Sequence, residues 1–222
     1  MKESLSGTAE AAVEQIETYP GERVIRKVEE IASSKYGLHF KDWVIVGLRG
    51  FTYDKKKGFI ANSDAIDEFN DTLILLRTGK KGLEFECHRC TMDPGWYWIR
   101  APMVPGGAAR LEPGLYIYQK GLHRGNKAFT QFQKVAVRRD RNLDGIWTEA
   151  EPVQHGFFGI NIHASYTKDV VGVSSAGCTV IAGGWSSKIW KRFRDTLYNS
   201  GQLRFPYLVL SDKERKEVVK VV

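Results

Sequence analysis

The spacing of apolar residues changes period along this chain. Between positions 8 and 34 they recur at three- and four-residue steps: Ala12, Val13 and Ile16, then Val24, Ile25, Val28, Ile31 and Ala32. That is the spacing of a helix face, and Pro20-Gly21 divides it into two helical pieces. From Trp43 onward the pattern becomes short apolar runs between Gly, Pro and Asn. Trp43–Leu48 predicts a buried strand. Asp71–Leu76 and Leu83–Cys87 predict two strands joined by a hairpin-type loop at Thr78–Gly82, and Asp64–Asn70 reads as a short polar helix or turn. Further strands are expected at Trp96–Arg100, Gly114–Gln119, Ala128–Lys134, Val135–Arg139, Phe157–Ile162 and Pro206–Leu210. Helical spacing returns in Ser186–Asn199, where Ile189, Trp190, Phe193 and Leu197 share a face and the serine pair can cap the start. Asp212–Val222 is a charged tail, an exposed helix or a frayed end.

This order predicts a mainly β fold with helices at the periphery, one near the N-terminus and one following Cys178. No internal repeat and no separating linker is visible. The chain divides into a helical segment 1–39, a strand-rich domain 40–211 and the tail 212–222. At 222 residues and 42% hydrophobic content it can bury one substantial core. Six Trp, nine Tyr and eleven Phe argue against disorder.

The net charge of +7 favours anionic partners, among them nucleic acid, lipid headgroups and wall polymers. No RNA-binding aromatic signature, zinc-finger spacing or concentrated basic block accompanies it, so nucleic acid is not the expected partner. No 18-residue apolar run predicts a membrane span. The first residues, Met1–Gly7, lack an apolar signal core, so the expectation is a chain cytoplasmic at synthesis. Oligomeric state is not legible.

Candidate chemistry centres on Phe158-Gly159-Ile160-Asn161-Ile162-His163 and Ser174-Ser175-Ala176-Gly177-Cys178. The three cysteines form an odd set. Cys87 and Cys90 make a lone CxxC without a second zinc-ligand pair, and read as structural thiols or an oxidised pair. Cys178 is then the odd thiol. A thiol attacks as thiolate and needs a base, which His163 can supply if its strand runs beside the Cys178 turn. Peptide N–H groups around Gly177 and Cys178 offer an oxyanion site, and the missing side chain at Gly177 leaves room for a carbonyl. Asn161 lies two positions from His163, to orient it or to bind substrate. His123, between glycines, is a candidate to face substrate, and His155 a loop residue. The plainer reading is a buried structural thiol and a satisfied core histidine.

In these residues the chain resembles the L,D-transpeptidase catalytic-domain family of bacterial cell-wall enzymes. The likeness rests on His163, the gap after it, and Ser175-Ala176-Gly177-Cys178. A second match is Ala109–Tyr116, like the family's Thr-Pro-x-Gly-x-Phe/Tyr strand. Thr91-Met92-Asp93-Pro94-Gly95 and Gly121-Leu122-His123-Arg124-Gly125, in order, are similar to a divergent phage- or prophage-associated branch. The likeness covers about residues 90–185. It implies a β-sandwich or barrel in which Cys178 attacks a peptidoglycan stem peptide and forms a thioester, His163 moves the proton, and no cofactor is needed for chemistry. It further implies that the Ala164 backbone carbonyl orients His163, and that Asn161, His123, Ser175 and Ala176 face substrate. Action on the wall would follow export, lysis or phage-type delivery. Ala176 stands where the family has a second histidine, and Val180 where it has Arg or Asn. Hydrolysis, as a carboxypeptidase or endopeptidase, is therefore as open as transpeptidation. The alternative is a non-catalytic cell-wall-binding or phage structural module that retains the fold.

One motif lies outside this frame. Asp140–Glu151 fits D-x-N-x-D-G-x5-E, the calcium-loop pattern, with Asp140, Asn142, Asp144, the Ile146 carbonyl and Glu151 as ligands. Calcium there would be structural, stiffening the approach to His163. The same residues also read as an Asx-rich turn between strands.

Overall fold

The computed structural model describes residues 17–220. In chain order its elements begin β1 (Thr18–Tyr19), α1 (Gly21–Tyr36), β2 (Val44–Leu48), β3 (Phe51–Asp54) and β4 (Gly58–Ala61). They continue β5 (Asp71–Gly79), β6 (Gly82–Thr91), α2 (Trp96–Arg100), β7 (Ala109–Leu111), β8 (Gly114–His123) and β9 (Asn126–Gln131). Then come β10 (Val135–Arg139), β11 (Gln154–Gly156), β12 (Ile162–Ala164), β13 (Thr179–Ile181), α3 (Lys188–Tyr198), β14 (Arg204–Val209) and α4 (Asp212–Val219).

The protein is mainly β, and of sandwich and barrel it is a barrel. Eight strands close in the order β2–β5–β6–β13–β12–β9–β8–β14. Two small sheets, β1–β4–β3 and β11–β10–β7, lie outside that ring. Alternation along the strands divides the apolar residues into two cores. Ile45, Leu73, Leu75, Tyr118, Phe129, Ile162, Ile181 and Tyr207 belong to one, which draws on every barrel strand and on Trp190, Phe193 and Leu197 of α3. Val44, Val46, Ile74, Leu76 and Leu208 belong to the other, which packs against Val24, Ile25, Val28 and Ile31 of α1. Burial on both faces explains why β2 and β5 read as continuous apolar runs.

α1 begins at Gly21, and the helical piece expected around Ala12, Val13 and Ile16 lies outside the described residues. Thr18–Tyr19, expected as helix, pairs with β4 instead. The tail is a docked helix: Ser211 and Glu214 form a capping box, Tyr36 Oη donates to Glu214 Oε1 at 3.0 Å, and Val218 is buried. Among the described residues no helix is long and apolar enough to cross a membrane.

Two expected strands are corrected. Trp96–Arg100 is the helix α2. Its aromatic residues suit a strand, but Asp67 Oδ1, distant in sequence, accepts from Trp96 N at 3.2 Å and caps the turn. Phe157–Ile162 is extended only from Ile162. Gly159 takes φ +73°, which breaks the pleat, and Gln131 Oε1 accepts from the Phe158 and Ile160 amides at 3.1 and 2.9 Å in place of a neighbouring strand. Of the helix or turn expected at Asp64–Asn70, the structure has the turn, at Ile66 and Asp67. Cys87 and Cys90 are free thiols; three positions apart, they point to opposite faces of β6, one into each core, so they cannot pair.

Candidate active site

The parallel pairing of β12 and β13 builds the site. Ile162 partners Thr179 and His163 partners Val180, so Cys178, which immediately precedes β13, lies beside the start of β12. Asn161 O accepts from Thr179 N at 2.9 Å and Asn161 N donates to Cys178 Sγ at 3.4 Å. Cys178 is partly exposed at the floor of a cleft of about 390 Å³.

His163 is almost fully enclosed, at 1% exposure. Its Nδ1 lies 2.7 Å from the Ala164 carbonyl oxygen, which can only accept, so the proton sits on Nδ1 and Nε2 carries the lone pair. Among the described residues Nε2 has no hydrogen-bond partner. His163, His123 and Cys178 each offer an atom within 4.8 Å of the others. The His123 ring stacks on His163 at 4.0 Å and 11°, and Trp185 lies near-parallel to it at 5.9 Å and 11°. Near-parallel stacking keeps two in-plane imidazole lone pairs from converging on one ion, so the trio suits proton handling better than metal binding.

Burial sets the protonation states. The Cys178 thiol is pushed up to about 11 by desolvation, against the opposing pull of the Asn161 N–H and the Arg124 charge. His163 is held down at about 3, chiefly by burial and then by the neighbouring His123. The resting pair is thus a protonated thiol and a neutral imidazole.

The remaining candidates take different places. Asn161 Nδ2 donates to His123 Nδ1 at 3.0 Å, so Asn161 orients His123 and leaves His163 to Ala164. His123 ends β8 instead of lying in a loop, and both it and Ala176 line the cleft. Ser175 does not line the cleft: it is fully buried, donates to Cys178 O at 2.8 Å and accepts from Gly177 N at 3.1 Å, shaping the turn. Gly177 N–H is committed to that bond, which leaves the Cys178 N–H as the amide at this turn for an oxyanion. Gly177 has φ +131° and a Cβ there would strike the Ala109 carbonyl oxygen, so its reason is steric. Val180 is buried among Phe69, Val171 and Ala182. His155 is exposed on β11.

In the Asp140–Glu151 loop the acids are turned to the loop itself. Asp140 accepts from Gly145 N at 2.8 Å and Asp144 N at 3.2 Å, Asp144 accepts from Ile146 N at 2.7 Å and Asn142 Nδ2 donates to Asp144 at 2.7 Å. Glu151 turns to Thr148 N at 2.7 Å, and does not converge with Asp140 and Asp144. A second carboxylate cluster, Asp64, Asp71 and Asp93, went unread in the sequence. Arg110 bridges Asp93 at 2.6 Å and Asp64 at 3.2 Å, and Arg49 and Arg215 complete the balance, so it ties the Thr91–Gly95 segment to β7.

No protein-family model, curated protein or solved structure matches this chain. The functional reading therefore rests on the cleft itself. Its lining also includes Arg124, Arg139 and Tyr166, which the spacing of His163 and Cys178 does not point to. Arg124 was at hand inside the Gly121–Gly125 segment; Arg139 ends β10 and only the fold brings it near.

Proposed function

We propose that this protein is a cysteine-dependent acyl-transfer enzyme of the L,D-transpeptidase type, acting on peptidoglycan stem peptides. The observation that carries the chemistry is the buried His163 ring, whose Nε2 has no partner among the described residues, within 4.8 Å of Cys178 in the lining of one cleft, where the resting thiol donates to the Gly159 carbonyl oxygen at 3.4 Å. A lone pair kept dry and without a hydrogen bond is costly unless it has a use, and taking the thiol proton is one. The stem-peptide substrate rests on the order of motifs around residues 90–185.

In the first step the Sγ–carbonyl bond forms as His163 Nε2 takes the thiol proton. The tetrahedral oxyanion lies toward the Cys178 N–H. Collapse breaks the C–N bond, and His163 returns the proton to the leaving amine, giving a thioester. Water or an acceptor amine then attacks, His163 takes its proton, and cleavage of the C–S bond regenerates the thiol with that proton. The Nδ1–Ala164 contact holds the ring in the required tautomer throughout.

The test is incubation with purified peptidoglycan, followed by muropeptide analysis and intact-protein mass spectrometry. The expected result is a new muropeptide profile and a trapped acyl adduct on Cys178, with both lost in Cys178→Ala and His163→Ala variants that still fold. Binding to sacculi with an unchanged profile and no adduct would replace this reading with the non-catalytic wall-binding module.

A further inference from the structure

The cleft that Cys178 lines is also lined by two arginines, Arg124 and Arg139, and among the described residues its lining includes no Asp or Glu. Neighbouring arginines have carboxylate partners: Arg138 pairs with Glu112 at 2.9 Å and Arg110 with Asp93 at 2.6 Å. Arg139 is held by neutral acceptors instead, Gln154 Oε1 at 3.1 Å and the Gly107 carbonyl at 3.1 Å, and lies 5.4 Å over the Phe158 ring. These contacts fix its direction without neutralising its charge.

Arg124 is placed at a conformational cost. It forms the tip of the β8–β9 hairpin with Gly125, at φ +48° and +81°. A two-residue turn with both φ values positive favours Asn-Gly, and a long side chain at the first position is disfavoured by about 1 kcal/mol. Its guanidinium lies 5.5 Å from the Tyr166 ring, itself part of the lining. A strained site carrying an unneutralised charge over a nucleophile is the pattern expected of a group kept for its ligand.

We infer that Arg124 and Arg139 read a carboxylate on the acyl donor, making them specificity-determining residues of the Cys178 cleft. The inference rests on the acyl-transfer reading and narrows it to donors with a free carboxylate near the scissile carbonyl. Arginine suits this because its planar fork matches both carboxylate oxygens. The apolar remainder of the cleft, including Trp98, Met103 and Val173, leaves few competitors for that charge.

Iodoacetate and iodoacetamide differ in the carboxylate and so test the inference directly. In each case Cys178 thiolate displaces iodide and forms a thioether, mapped to Cys178 by mass spectrometry. The ratio of the two rates cancels any change in thiolate fraction. The expected result is a ratio about tenfold lower in the Arg124→Gln/Arg139→Gln variant than in the wild type, with Lys substitutions retaining part of the preference. Raising salt should lower the wild-type ratio as well, which keeps the inference testable if the double variant folds poorly. A ratio unchanged by both the substitutions and salt would overturn the carboxylate assignment while leaving the nucleophile intact. Failure of both reagents to label Cys178 would overturn the nucleophile reading and this inference with it, whereas labelling by iodoacetamide alone would overturn only the carboxylate assignment.

Discussion

His163 is neutral because it is enclosed and has a second imidazole stacked upon it, and this state has a stability consequence. Its pKa is about 3 in the fold against 6.5 for the ordinary imidazole. Between those values the unfolded chain binds a proton that the folded chain does not, so stability rises with pH across this window and falls on acidification from 6.5 toward 3. The contribution is on the order of a few kcal/mol at the acid end. Urea melts at pH 7 and pH 4 should show a larger acid loss for wild type than for His163→Gln; equal losses would mean the ring is not held neutral. Cys178 behaves in the opposite sense as a nucleophile. With the thiol pushed up to about 11, its alkylation by iodoacetamide should keep climbing above pH 9, where a free cysteine is already levelling off. A plateau near pH 8 would show an activated thiolate instead of a thiol awaiting its base.

At the scale of elements, the turn before β13 carries the site and depends on one backbone conformation. Gly177→Ala adds a Cβ at φ +131° against the Ala109 carbonyl oxygen, so the turn must shift. The expected loss is about 1–3 kcal/mol, with Cys178 alkylation altered at the same time, read by thermal melts and labelling rates. In α3, Ser187 Oγ accepts from Trp190 N at 3.1 Å, and Ser187→Ala should cost about 1 kcal/mol with the labelling rate unchanged. These two elements also mark what could be read from sequence. α3 is legible because its signals are local: a serine cap, and Trp190, Phe193 and Leu197 on one buried face, although Ile189, expected on that face, is exposed. α2 is not, because its cap is Asp67, and the start of β12 is not, because Gln131 and Gly159 replace a ladder that the apolar run alone suggests. His163 and Cys178 could be singled out by type and spacing. Arg139 and Trp185 could not, since the end of β10 brings Arg139 into the cleft lining and the segment after β13 sets Trp185 near the His163 ring, and periodicity carries no record of which strand ends meet.

The barrel as a whole closes at its weakest ladder, next to His163. β9 meets β12 through a single partner pair, Phe129 with Ile162, whereas β5 and β6 run together over their whole length. Side-chain packing holds the seam instead. Phe129 is fully buried and sets its ring against Phe193, Tyr198 and Phe205 at 5.4, 5.4 and 5.5 Å, joining α3 and β14 to the closing strand. Phe59 is equally buried but belongs to the other core, on β4 beneath α1. Truncating either to Ala leaves a cavity costing about 3–5 kcal/mol. The two losses should differ in where they are felt, because a cavity relaxes its own surroundings first. Phe129→Ala should speed hydrogen exchange at the Ile162–Ala164 amides and raise the iodoacetamide rate at Cys178 by exposing the thiol. Phe59→Ala, compared where both variants remain folded, should leave those local readouts near wild type. If the two variants changed β12 exchange equally, the seam would be no weaker than the rest of the barrel, and the position of His163 would depend on global stability rather than on the packing of Phe129.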